Sequence, residues 1–247
     1  MKRLLLLLLL LPLAALAVGC GGGARRATPG HLGSGPREVW FYPAGDKARS
    51  LVIFLHGYGG AREETPANHR PWLEHLAAEG NDVIYPRYEQ GGSLDPLPAL
   101  QAGVDAATAR LGRPHVPVVV IGYSRGGRIA VDYAASQAAR GHEPAAVLAV
   151  FPGLNAPGER LAPLAALDAK AKIVMMVGDR DTGVDGIGAH ALLVRLARAG
   201  FPASRIRVII VKSTKTFSAT HLSVLESGRG ARKAFWRPAD RLIESVR

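Results

Sequence analysis

The chain has 247 residues, of which 48% are hydrophobic, with a formal net charge of +11 and a single cysteine, Cys20. One cysteine excludes an intrachain disulfide, so packing alone must stabilise the fold, and the chain is long enough for one domain with a substantial core. The positive balance raises a polyanion partner, but the arginines are scattered rather than interleaved with aromatics, so no nucleic-acid partner is expected and an anionic lipid surface fits better.

The first segment, "MKRLLLLLLLLPLAALAVGC", has a positive start at Lys2 and Arg3, an apolar stretch from Leu4 to Val18 and a small residue, Gly19, before Cys20. The apolar stretch is shorter than the ~20 residues a membrane-spanning helix needs, which marks residues 1–19 as a cleaved export signal. "AVGC" resembles the lipobox of bacterial lipoprotein signal peptides, which implies a lipidated Cys20 and a membrane anchor. Ala17 stands where leucine is most usual, and a plain secretory signal leaving a soluble exported protein is the alternative. Residues 20–36 then read as the lipidated Cys and a flexible tether, and residues 37–247 as the folded domain.

Short aliphatic runs follow in chain order: Val39 to Pro43, Leu51 to Leu55, Asp82 to Pro86, Pro117 to Gly122, Ala146 to Pro152, Lys172 to Gly178 and Arg207 to Val211. Runs without alternation predict strands buried on both faces. Helical patterns separate them: "HRPWLEHLAAEG", "LPALQAGVDAATARLG", "RGGRIAVDYAASQAARG" and "IGAHALLVRLARAG", each ending at glycine. The alternation predicts an α/β domain with a mostly parallel, doubly wound sheet, whose ligand sites lie beyond the carboxyl ends of the strands.

Chemistry-bearing residues collect at those ends. "GYSRGG" places Ser124 between a buried-type strand and a helix, with Gly122 and Gly126 removing the Cβ atoms a sharp turn cannot accommodate. The bland reading is a serine that only caps the helix. "LVIFLHGYGG" runs a strand into a glycine-rich loop, and the backbone amides of Tyr58 and Arg125 are candidates for an oxyanion hole. His56 reads as an architectural histidine of that loop.

With "HGYGG" and "GYSRGG" in place, the chain resembles the α/β-hydrolase-fold serine hydrolases. The family's order of nucleophile, acid and histidine implies an acid in "GDRDTGVDG", where Gly178, Asp181 and Val184 match a G-x-x-D-x-x-V pattern. Asp181 is the candidate acid, with Asp179 and Asp185 as rivals. His221 in "SATHLSVL" is the candidate histidine. The resemblance implies that His221 takes the proton of Ser124 during attack on an acyl carbon, with Asp181 orienting the imidazole. Esters are the expected substrates; thioesters, amides and acyl transfer use the same machinery.

No cluster with metal-ligand spacing is visible, and neither a metal nor a cofactor is expected. About twenty residues separate the strand ending at Pro152 from the next, too few for a large lid, so the expected partner is a small or accessible ester acted on by a monomer. Tyr58, Arg62, Tyr88 and Arg125 are expected on the rim. A catalytically silent binding module of the same fold, anchored at the membrane, and a polyanion binder are the readings from other classes.

Overall fold

The computed structural model describes residues 28–45, 47–89, 93–112 and 115–247. The expected signal segment, Cys20 and the beginning of the tether lie outside the described residues.

The aliphatic runs assemble into one eight-stranded sheet in the order β1-β2-β4-β3-β5-β6-β7-β8. The strands are β1 (Gly30–Leu32), β2 (Val39–Tyr42), β3 (Ser50–Leu55), β4 (Asn81–Pro86), β5 (Val118–Tyr123), β6 (Ala146–Val150), β7 (Lys172–Gly178) and β8 (Ile206–Val211). β2 pairs antiparallel with β1 and with β4, and the remaining pairs are parallel. The sheet is therefore mostly parallel, as the alternation predicts. Strand order reverses at β3, which lies between β4 and β5, and the register sets Leu55 beside Gly122 and Gly122 beside Ala149. The chain thus leaves β3, β5 and β6 at one level, beside the reversal where open α/β sheets bind ligands.

Helices cover both faces. α2 (Leu97–Leu111), α3 (Arg125–Ala138) and α4 (Ile187–Arg198) close one core through Leu100, Ile129, Tyr133 and Leu192. α1 (Arg70–Ala78) and a C-terminal helical stretch close the other through Trp72, Leu76, Phe235, Trp236 and Ile243. That stretch runs from α5 (Arg229–Ala231) through a π-helical turn at Arg232–Trp236 into α6 (Arg237–Glu244). The widening precedes Pro238, whose ring and missing N–H oppose the regular bond one turn back.

Two expectations change. β1 falls inside the stretch assigned to the tether: His31 pairs across from Trp40, stacks on it at 5.0 Å and hydrogen-bonds Glu38 at 2.7 Å. A three-residue strand rich in glycine carries no periodicity, so contact with β2 fixes it rather than local propensity. β8 has one neighbour only and leaves Val208 and Ile210 exposed, where the continuous apolar run predicts burial on both faces.

Candidate active site

Ser124 sits between the last residue of β5 and the first of α3 with φ 55° and ψ −121°. This is the conformation of the first central residue of a type II′ turn, which glycine adopts freely and serine at a cost. It aims the side chain out of the end of the sheet. A Cβ at Gly122 would lie 2.1 Å from the Gly126 carbonyl oxygen, and one at Gly126 would lie 2.3 Å from the carbonyl oxygens of both Leu55 and His56. Any larger residue at either position would force backbone apart. The turn is held by its own polar groups: the Ser124 amide donates to the Val150 carbonyl at 2.9 Å, and the Ser124 carbonyl accepts from the amides of Gly127, Arg128 and Gly153.

His221, at the start of the 3₁₀ segment His221–Leu225 beyond β8, reaches back over this turn. Its Nε2 lies 2.9 Å from Ser124 Oγ and its Nδ1 lies 3.1 Å from Asp181 Oδ2. With the ring proton on Nδ1 donated to the carboxylate, Nε2 accepts the serine hydroxyl. The ring packs beside Tyr123 and Phe151, at centroid distances of 5.2 and 6.2 Å. The Tyr123 hydroxyl donates to the His221 carbonyl at 3.0 Å. Asp181 follows β7 and is buried, its Oδ1 accepting from the amides of Gly183 at 2.9 Å and Val184 at 3.2 Å. Each carboxylate oxygen therefore has a fixed partner, which orients the acid.

Neither rival takes this position. Asp179 binds the amide and hydroxyl of Ser213, the latter at 2.6 Å, and clamps the loop that leads from β8 to His221. The Ser213 hydrogen bonds hold the Asp179 carboxyl below its ordinary range. Asp185 is exposed.

The loop after β3 borders the serine closely: a Cβ at Gly57 would lie 3.2 Å from Ser124 Cβ. Tyr58 follows Gly57, and Arg125 opens α3, where the amide has no carbonyl one turn back in the helix. Buried His56 ties this loop down, with Nδ1 2.7 Å from the Gly57 carbonyl and Nε2 2.7 Å from the Arg87 carbonyl. Its ring stacks on Tyr88 at 4.3 Å, and burial holds its pKa below the ordinary histidine value. Glu63 backs the same loop. Burial works against its charge, but hydrogen bonds from His69 and Asn68 prevail and keep its carboxyl below the usual value.

The rim differs from expectation at two of four positions. Tyr58 and Arg62 are exposed. Tyr88 is fully buried and donates its hydroxyl to the His56 carbonyl. The guanidinium of Arg125 is drawn inward by Glu89, Glu159 and the Ser93 carbonyl. Sequence reasoning also passed over the ionic cluster behind the turn. Arg128 pairs with Glu159 and with Asp132, and Arg195 pairs with Asp132 at 2.6 Å. Arg125, Arg128 and Asp132 are the charged residues of this helix and recur at helical spacing, which is the trace of this cluster in the sequence. Burial pushes the Glu89 carboxyl up to about 7 although Arg125 lies against it. Among the described residues no group of three or more His, Cys, Asp or Glu is placed to hold a metal ion.

No family model matches the chain, and no curated protein matches it in sequence. Solved structures do resemble it. A carboxyl esterase from Bacillus coagulans, in complex with glycerol, is 12% identical with a TM-score of 0.65 over 89% of this chain and 99% of that one. Carboxyl esterase 2 from Tuber melanosporum is 16% identical with a TM-score of 0.63 over 89% of this chain and 86% of its own. Esterase PE8 is 19% identical with a TM-score of 0.58 over 84% and 97%. At such identities the likeness fixes the fold, and the fold is that of the α/β hydrolases.

Proposed function

We propose that the protein is a serine hydrolase that cleaves carboxylic esters through an acyl-enzyme on Ser124. The observation that carries this reading is His221, hydrogen-bonded to Ser124 Oγ at one ring nitrogen and to Asp181 at the other. Ser124 Oγ attacks the ester carbon while its proton passes to His221 Nε2. Asp181 stabilises the imidazolium that results. As the tetrahedral intermediate collapses, the ester C–O bond breaks and His221 returns the proton to the departing alcohol. Water, deprotonated by the same nitrogen, then releases the acid. The amides of Tyr58 and Arg125 bind the oxyanion, each contribution of this kind lowering the barrier by ~3 kcal/mol. The three structural relatives named above are esterases, which supports esters over other acyl substrates.

The test is a fluorophosphonate probe on the protein and on the Ser124→Ala and His221→Ala variants, with the modified peptide mapped by mass. Labelling at Ser124 that both variants abolish is expected, with turnover of simple esters. A folded protein that neither labels nor hydrolyses would refute the enzyme and leave a silent binding module.

We further propose that the protein is exported and held on a lipid anchor at Cys20, a reading supported by "AVGC" after an apolar leader. The mass of the cellular protein's N-terminal peptide decides it: a diacylglyceryl-modified Cys20 is expected, and an unmodified one refutes the anchor.

A further inference from the structure

The distribution of exposed apolar side chains around Ser124 names the class of ester. Among the described residues eight large hydrophobic side chains are exposed, and five of them adjoin the Ser124 turn, His221 or backbone segments tied to that turn. Tyr58 follows Gly57, which abuts the serine. Leu154 follows Gly153, whose amide donates to the Ser124 carbonyl at 2.9 Å. Leu222 follows His221 in the chain. Ile187 precedes Gly188, where a Cβ would lie 1.9 Å from the carbonyl oxygen of Pro152, two residues from Leu154. Leu94 follows Ser93, whose carbonyl accepts from Arg125, and its own carbonyl accepts from the Arg160 amide at 2.8 Å.

These five are between 49% and 67% exposed. Single exposed leucines are ordinary on a protein surface, but a group of them around one reactive centre marks a binding site. The cation nearest the serine in sequence is drawn inward, while Arg62 stays exposed on the rim. The Arg125 guanidinium, beside the serine in sequence, is held by the buried side chains of Glu89 and Glu159. An ester with a charged acyl chain finds no partner in these five side chains, whereas a hydrocarbon chain finds apolar ones.

We infer that the substrates are esters carrying a medium or long hydrocarbon chain, and that the chain lies along this open apolar rim. The inference rests on the serine-hydrolase reading for the position of the reacting carbon. It narrows the small-or-accessible ester of the sequence expectation to an apolar one. A chain half covered on an open surface gains about twofold per methylene, hence roughly fifteenfold over four methylenes.

The experiment measures kcat/KM for p-nitrophenyl butanoate and octanoate below their aggregation limits, for the protein and for the combined Leu154→Ser, Ile187→Ser, Leu222→Ser variant. We expect octanoate to be preferred about fifteenfold, and the preference to fall several-fold in the variant. A protein that hydrolyses both chains equally, or a folded variant that keeps the preference, overturns the inference while leaving the hydrolase reading intact. A second measurement does not need turnover: equilibrium binding of methyl octanoate and methyl butanoate to Ser124→Ala, with and without the three rim substitutions. Stronger octanoate binding that the rim substitutions abolish supports the rim even if no ester is ever cleaved, in which case the hydrolase reading alone fails. Equal binding of the two esters overturns the rim.

Discussion

Replacing Ser124 with glycine and with alanine separates the strain of the turn from the loss of the serine hydroxyl. Both substitutions remove the hydrogen bond to His221 Nε2, so that contribution cancels between them. What differs is the backbone at φ 55°, ψ −121°. Alanine keeps a Cβ in a sparsely populated region that costs ~1–3 kcal/mol, and glycine relieves it. Against this, glycine enlarges the unfolded ensemble and loses roughly 0.4–1 kcal/mol. The balance favours Ser124→Gly over Ser124→Ala by ~1 kcal/mol, about 2–4 °C in Tm for a domain of this size. At an ordinary position the order is reversed, so the sign is diagnostic. Urea unfolding midpoints at matched m-values make the comparison. An alanine variant as stable as the glycine variant, or more so, would show that the turn at Ser124 is not strained.

Asp181→Asn should lower kcat on an ester by ~10⁴-fold through loss of the correct histidine tautomer. Asp179→Asn, which alters only the Ser213 clamp, should leave most of the activity; comparable losses from both would refute the assignment of Asp181. Gly126→Ala should unfold the protein or abolish activity, since the added methyl meets two carbonyl oxygens at 2.3 Å; a soluble, active variant in an ester assay contradicts the geometry. Glu89 has a folded-state pKa raised from 4.5 to about 7, chiefly by burial. The folded state therefore binds the proton more tightly, and this contribution to stability is full below about 4.5 and lost as pH rises through about 7. Glu89→Gln should flatten the fall in stability across that interval, measured by denaturant titration at several pH values. An unchanged slope would place the titration elsewhere.

The architecture was legible because strands buried on both faces leave continuous apolar runs, and seven of the eight strands match such runs to within a residue or two. The turn at Ser124 was legible for a similar reason. Ser124, Gly122 and Gly126 are dictated by local backbone sterics, and local constraints write themselves into adjacent residues. His221 and Asp181 required chain order, because nothing near His221 in sequence records that it meets residues 40 and 97 positions away. Tyr88 and Arg125 were misplaced because side-chain direction is set by tertiary partners. The polar ends of both side chains find acceptors inside the protein, where a reading of polarity alone sends them to solvent. β1 and the C-terminal helix were missed on opposite grounds. The first is too short to show a period, and in the second Pro238 interrupts one.

The buried ionic cluster and the strained turn explain each other. Arg125, Arg128 and Arg195 face Glu89, Glu159 and Asp132 with little exposure. Such pairs recover little net stability beyond their desolvation, yet removing one partner leaves a buried charge and costs ~3–5 kcal/mol. Their value lies in what they join. Glu159 belongs to the segment between β6 and β7, and through Arg125 and Arg128 it ties that segment to the first turn of α3. Asp132 extends the tie to Arg195 on α4 and to the Ala162 amide. The segment that begins at Phe151 also supplies the Gly153 amide to the Ser124 carbonyl. A serine held at positive φ relaxes unless its surroundings over-determine it. Here the backbone of β5, β6 and α3 fixes the turn directly, and the ionic cluster keeps the β6–β7 segment in place to do so. The same cluster draws the Arg125 guanidinium inward, so one set of buried pairs both stiffens the Ser124 turn and removes one charge from beside it.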